Sequence, residues 1–175
     1  MKPHKISAML IVIRILLIAV MLSDMAFIFF NSHQTATESS SASQSVTEKV
    51  VEVIVPNYEK MDEEEKKETV NAFDSVVREA AHLLQFVPMG FACYLLLCTM
   101  QKLSLHRYLN PIITLTLGVA YALSDEIHQI FTPGRVFDAF DIMMDSIGVT
   151  VGIACGALLM LIITAIKRHR APTEQ

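Results

Sequence analysis

The stretch SDEIHQIFTPGRVFDAFDIMMDS, from Ser124 to Ser146, sets Asp125, Glu126, His128, Arg135, Asp138, Asp141 and Asp145 between two of the most apolar segments of the chain. A charged side chain near the centre of a bilayer costs about 2.5–3.5 kcal/mol even on insertion scales, so ionisable groups in such segments mark either a site or a turn in water. How these residues are read decides the fold.

Composition favours a membrane class. The chain has 175 residues, is 53% hydrophobic and contains no Trp, and its mean hydropathy is +0.45. That is too apolar for an ordinary soluble domain and suits about four spans of roughly 20 residues each plus one polar excursion. The net charge of -4 comes mostly from the acidic segment between Glu48 and Glu68. No basic patch interleaved with aromatics points to nucleic acid. Cys93, Cys98 and Cys155 lie in apolar runs. They read as small buried hydrophobes rather than a disulfide framework or a CxxC metal pair.

The first apolar run, Ile6 to Phe30, is broken only by Ser7, Arg14, Ser23 and Asp24. It is longer than a signal-peptide core of about 7–15 residues, and no small-x-small site precedes Asn31, so residues 1–30 read as a retained signal anchor. Residues 31–76 form a Ser-rich and then acidic excursion. Its Ser-rich part is expected to be mobile. From Val46 onward, Val50, Val53 and Ile54 at helical spacing, then Tyr58 and Met61, suggest one or two short amphipathic helices on the membrane surface. The DEEEKKE run reads as a solvated helix face with pairs such as Glu63 and Lys67.

Further spans are expected at about Glu79 to Met100, Pro111 to Phe131 and Asp138 to Ile166, giving a core over residues 77–166 and a basic tail over 167–175. With four spans, Lys2, Lys5 and Arg14, then Lys102 and Arg107, then Lys167, Arg168 and Arg170 all fall on one side, the cytoplasmic one by the positive-inside rule. The expected fold is an all-α integral membrane protein. It is a four-transmembrane-helix bundle with a long extracytoplasmic loop after the first helix and both termini in the cytoplasm.

Spacing then gathers the polar groups at the outer end. Asp138, Asp141, Asp145, Gly148, Gly152 and Gly156 are spaced 3, 4, 3, 4, 4 and so share one helical stripe. The glycine half is a small-xxx-small seam for close helix approach. The carboxylate half must face the same interior, although Asp138 also suits a helix cap. Tyr121, Ser124, Asp125 and His128 cover one arc of the third span, with Gln129 at its edge and Glu126 turned away. Arg78, His82 and Gln85 make a stripe on the second span, and Pro88 is expected to kink it just below His82.

Arg78 and His82 four apart, the run SDEIHQ, the Pro133-Gly134-Arg135 turn, and then Asp141, Asp145, Gly148 and Gly152 together resemble the VanZ-like family of small membrane proteins. The NSHQ at the end of the first span is similar to that family too. The resemblance is most specific from Val77 to Gly156. It departs from the family pattern at Gln85 and Phe86, where an acid and an aromatic are usual, and at Asp145, where Asn is more common. It implies a multi-pass protein of the bacterial cytoplasmic membrane, associated with reduced susceptibility to lipoglycopeptides such as teicoplanin.

Three function classes stay open at this level. One is a binder of a cell-wall lipid precursor, or of another membrane protein, among the membrane lipids. Its ligand groups are Arg78, Gln85, Ser124, Glu126, Gln129, Arg135, Asp138, Asp141 and Asp145. A second is a membrane-embedded enzyme in which His82, Asp125 and His128 act as acid and base. In that reading the two Arg take phosphate, and His82, Asp125 and His128 alternatively join Asp141 around a divalent ion, oxygen-rich ligation suiting Mg²⁺, Ca²⁺ or Mn²⁺ and two His admitting Zn²⁺. The third is a proton-coupled transporter or flippase using buried Asp125 and Asp145.

Overall fold

A computed structural model describes residues 7–100 and 108–170, with the Arg170 side chain excepted. The chain order is α1 Ala8–Ser32, α2 Ala36–Ile54, a 3-10 turn Tyr58–Lys60, α3 Glu63–Thr99, α4 Leu109–Gln129 and α5 Ala139–Arg170. The described residues contain no strand. The expectations that rest on Lys2, Lys5, Lys102 and Arg107 concern residues outside those described.

Among the described residues three helices are long and apolar enough to cross a membrane: α1, α3, and α5 over Ala139–His169. Helix α4 is not among them. It opens with Asn110 and Pro111 and closes with Asp125, Glu126, His128 and Gln129, which leaves too short an apolar middle. The expected four spans are therefore met by three helices on length and composition.

The polar excursion is the main departure from expectation. Its Ser-rich half is helix α2 rather than a mobile loop. Helix formation there begins at a capping box in which the Thr35 hydroxyl accepts from the Glu38 N–H while the Glu38 carboxylate accepts from the Thr35 N–H, so two orphan donors are satisfied reciprocally. The Thr35 N–H and, after it, the Thr35 hydroxyl that donates to the same carboxylate hold the Glu38 carboxyl below its usual range. Serines compete with helix structure when their hydroxyls bond elsewhere, but here Ser41 and Ser45 donate to the carbonyls of Thr37 and Ser41, four residues back.

Helix α3 likewise starts at Glu63, not Glu79. Asp62 and Glu65 form a second capping box, and Glu63, Glu64 and Glu65 fill the first turn, where acids complement the helix dipole. At 37 residues it is about 55 Å long, against a hydrocarbon core of about 30 Å. Its first turns therefore extend beyond the apolar part and carry α2. The helix runs unbroken through Pro88.

Helix α3 is the hub, packing on α1, α2, α4 and most extensively on α5. The seam with α5 is made of glycine. A Cβ on Gly148 would overlap the Leu83 carbonyl oxygen, and one on Gly152 the Val87 carbonyl oxygen. Gly90 meets α5 in the same way at the Val149 carbonyl, and Gly156 meets the Tyr94 ring. Close approach of this kind is what small-xxx-small seams provide in membranes. Above and beside the seam Ile28, Phe86, Met89, Ala122 and Val149 form the buried core. At the opposite end Arg14 of α1 donates from Nε to Thr99 Oγ1 at 3.1 Å and from its other guanidinium nitrogen to the Thr99 carbonyl, a cation at a helix C-terminus.

The seam predicts an asymmetric mutational response. Gly152→Val should lower the thermal midpoint of the purified protein in detergent by the equivalent of about 1–3 kcal/mol or prevent its accumulation, because overpacking has no side chain to displace here, only backbone. Ala154→Val, on the exposed face of the same helix, should leave the midpoint unchanged.

Candidate functional site

The glycine seam sets the spacing at one end of the bundle, where α3 and α5 still face each other but carry polar residues. His82 of α3 stands between two acids of α5. Its Nε2 lies 3.7 Å from Asp141 Oδ2 and its Nδ1 lies 3.4 Å from Asp145 Oδ1. Gln85, one turn along, brings its Nε2 to 3.5 Å from His82 Nδ1. Asp141 and Asp145 are 7% and 1% exposed, as the stripe requires. Asp138 stands just before α5, where its carboxylate accepts from the Phe140 N–H at 2.8 Å, the capping alternative.

Helix α4 and the turn after it add a second group. The Ser32 hydroxyl at the end of α1 donates to Asp125 Oδ2 at 2.6 Å, and Gln129 Nε2 donates to the same oxygen at 3.0 Å. Gln129 turns its amide oxygen to Arg135, which donates to it from Nε at 3.1 Å and from a terminal nitrogen as well. The other terminal nitrogen of Arg135 reaches Ser39 Oγ on α2 at 3.0 Å. Gly134, at φ +78°, gives this turn the left-handed backbone that glycine adopts without strain. Among the described residues no carboxylate lies within ion-pair distance of Arg135.

Two expectations about α4 are corrected. Glu126 does not face away: it is 1% exposed, and its Oε2 accepts from the Asp138 N–H at 2.9 Å, tying α4 to the start of α5. His128 and Ser124 do not join the cluster. His128 stacks on Phe29 and His33, with ring centroids 4.8 and 5.7 Å away. Ser124 is exposed and donates to the Tyr121 carbonyl of its own helix. A helix of 3.6 residues per turn cannot point 125, 126 and 128 one way, and the buried acid 126 beside α5 decides the rotation.

Helix α2 roofs the site. A cavity of about 250 Å³ is lined by Ser32, Ser39, Ser43, Arg78, His82, Gln85, Gln129 and Arg135 among others. A neighbouring one of about 180 Å³ is lined by Ser39, Ser43, Asp74, Arg78, His82, Arg135, Asp138 and Asp141 among others. Ser39, Ser43, Arg78, His82 and Arg135 belong to both, so the two cavities meet at His82 beneath α2. Arg78 is half exposed and pairs with Glu79 at 3.3 Å. The roof is fastened by Ser43 and Thr47, whose hydroxyls donate to Asp74 Oδ1 at 2.7 and 3.1 Å, and by Ala36 N–H, which donates to the Pro133 carbonyl.

Ser32, Ser39, Ser43 and Asp74 were not among the residues expected from sequence. The signal for α2 was present: Thr35 and Glu38 three apart form a capping box motif, and Ser39, Ser43 and Thr47 recur every fourth residue on one face. For a metal, among the described residues no three His, Cys, Asp or Glu side chains are arranged to hold an ion. His82 shows its two ring nitrogens to different acids, so one nitrogen does not converge with both carboxylates.

The described elements are all helical, with three helices apolar enough to cross a membrane and a polar chamber at one end roofed by α2, which is the make-up of a membrane protein. The VanZ/LLP1 family model matches residues 14–163, and the chain belongs to that family. No curated protein and no solved structure matches it.

The Asp74 contacts predict how the roof is held. Asp74→Ala removes the acceptor shared by Ser43 and Thr47, a loss of about 1–3 kcal/mol where the donors are left unsatisfied. Amide hydrogen exchange across residues 36–54 should accelerate while exchange in α5 stays unchanged.

Proposed function

We propose that this protein binds an anionic group of a cell-envelope lipid or wall precursor in the chamber beneath α2, on the outer side of the bacterial cytoplasmic membrane, and thereby modulates susceptibility to lipoglycopeptides of the teicoplanin type. In this reading α4 crosses the membrane as a fourth span within the bundle, and both termini are cytoplasmic.

The observation that carries it is Arg135. Its guanidinium borders both cavities with a neutral amide oxygen and a hydroxyl as partners, and among the described residues no carboxylate lies within ion-pair distance of it. A planar guanidinium suits bidentate recognition of phosphate or carboxylate, and Arg78 stands on the same two cavities. The deep acids are engaged elsewhere: Asp125 by Ser32 and Gln129, and Asp141 and Asp145 by His82.

A membrane-embedded enzyme is favoured by one specific observation, the placement of His82 in the chamber against Asp141 and Asp145, which suits proton transfer to a bound ester. A transporter is not favoured. Below the chamber Ile28, Phe86, Ala122 and Val149 are all 0% exposed and form an apolar layer, with the buried carboxylate oxygen Oδ2 of Asp24 beyond it.

Teicoplanin susceptibility of a sensitive Gram-positive host separates these readings when variants are compared at matched membrane levels. Arg135→Ala should lose the protection given by wild type, and Arg135→Lys should retain part of it. Under the binding reading His82→Gln should still protect; its complete loss, accompanied by turnover of a lipid phosphate by wild type alone, would favour the enzyme. Protection by Arg135→Ala equal to wild type would remove the anion from the proposal.

A further inference from the structure

A second cavity lies lower in the bundle and has different chemistry. It measures about 370 Å³ and is walled by α1, α3 and α4 with Val149 of α5 at one side, and Met21, Met25, Met89, Cys93, Leu117 and Tyr121 are among its lining residues. Met21 is eleven residues below the end of α1 and Cys93 six residues before the end of α3. At 1.5 Å per residue these lie roughly 16 and 9 Å inside their helices, within a hydrocarbon core of about 30 Å.

The wall asks for nothing polar. Its two hydroxyls are already spent within the protein: Tyr121 donates to the Met25 carbonyl at 2.7 Å and Thr114 to the Asn110 carbonyl at 2.8 Å. Among the described residues the buried side-chain atoms left without a hydrogen bond lie outside this wall, Asp24 Oδ2, next to Met25 in the chain, being the nearest in sequence. A large apolar void is costly to leave empty, and an apolar cavity takes apolar guests rather than water. Three methionines give the wall unbranched, adaptable side chains.

The cavity is also continuous with the outer surface of α4, where Leu117 is 54% exposed and Ala120 is exposed. In a bilayer that surface is covered by lipid. From the chemistry of the wall, its depth and this continuity, we infer that the cavity holds one hydrocarbon chain of a bilayer lipid, entering sideways past Ala120 and reaching Met89 and Cys93. The site is separate from the polar chamber. Ile28 and Phe86, both fully buried, lie between them, so the two are occupied independently.

The test uses the full chain in phosphatidylcholine vesicles doped with phosphatidylcholine carrying a diazirine midway along one acyl chain. Photolysis followed by peptide mass spectrometry maps the labelled residues. Labelling of Met89 and Cys93, which are 5% and 7% exposed, is expected beside labelling of outward residues such as Leu161. Ala120→Phe, which blocks the mouth without touching the core, should abolish the Met89 label, and Cys93→Leu, which narrows the cavity beside Met89, should reduce it, both sparing the label on Leu161. Arg135→Ala should leave the Met89 label intact, whatever it does to the polar chamber. Labels confined to outward residues, or a Met89 label that persists in Ala120→Phe, would overturn the inference.

Discussion

Everything at the polar end of this protein depends on how closely α3 and α5 pack. Gly148 and Gly152 lie against the carbonyl oxygens of Leu83 and Val87, with no room for a side chain. Lipid tails are as apolar as the side chains they would displace, so helices in a bilayer gain little from burying apolar surface and associate through packing and hydrogen bonds. A glycine seam maximises the first. It also fixes the second, because one turn beyond Gly148 the same stripe carries Asp145 and then Asp141, which therefore arrive at His82 with no freedom to splay.

Buried acids are tolerated only when their oxygens find partners. Asp125 is served by Ser32 and Gln129, and Glu126 by the Asp138 N–H, so these two neighbouring residues join α4 to α1 on one side and to α5 on the other. Asp141 Oδ1, Asp145 Oδ1 and Glu126 Oε1 have no hydrogen bond, and the His82 ring stands 3.7 and 3.4 Å from Asp141 and Asp145. Asp125 and Glu126 tie α4 to its neighbours, Asp141 and Asp145 share His82, and Arg135 has no carboxylate within ion-pair distance among the described residues.

Helix α2 gives the site its lid-like roof, and its existence bears on how composition is read. Serine-rich polar sequence usually signals a solvated linker. Here two capping boxes, one at Thr35 and one at Asp62, start helices on either side of a tight turn. Asp74, four residues before Arg78, then anchors α2 through Ser43 and Thr47. The helix is stable because α3 extends well past the apolar layer and offers a surface to pack on.

The sequence by itself determined that the chain is helical and apolar enough for a membrane, that the glycine stripe is a close-packing seam, and that His82, Gln85, Asp125, Gln129, Arg135, Asp141 and Asp145 gather at one end. Those features are periodic, and a 3.6-residue repeat projects directly onto a helix face. Tertiary structure alone decided the rotation of α4, which buries Glu126 and sends His128 to Phe29. It also decided the closure of the chamber by α2. Both depend on which neighbour a helix meets, and a repeat along one helix states which residues share a face without stating what that face will touch.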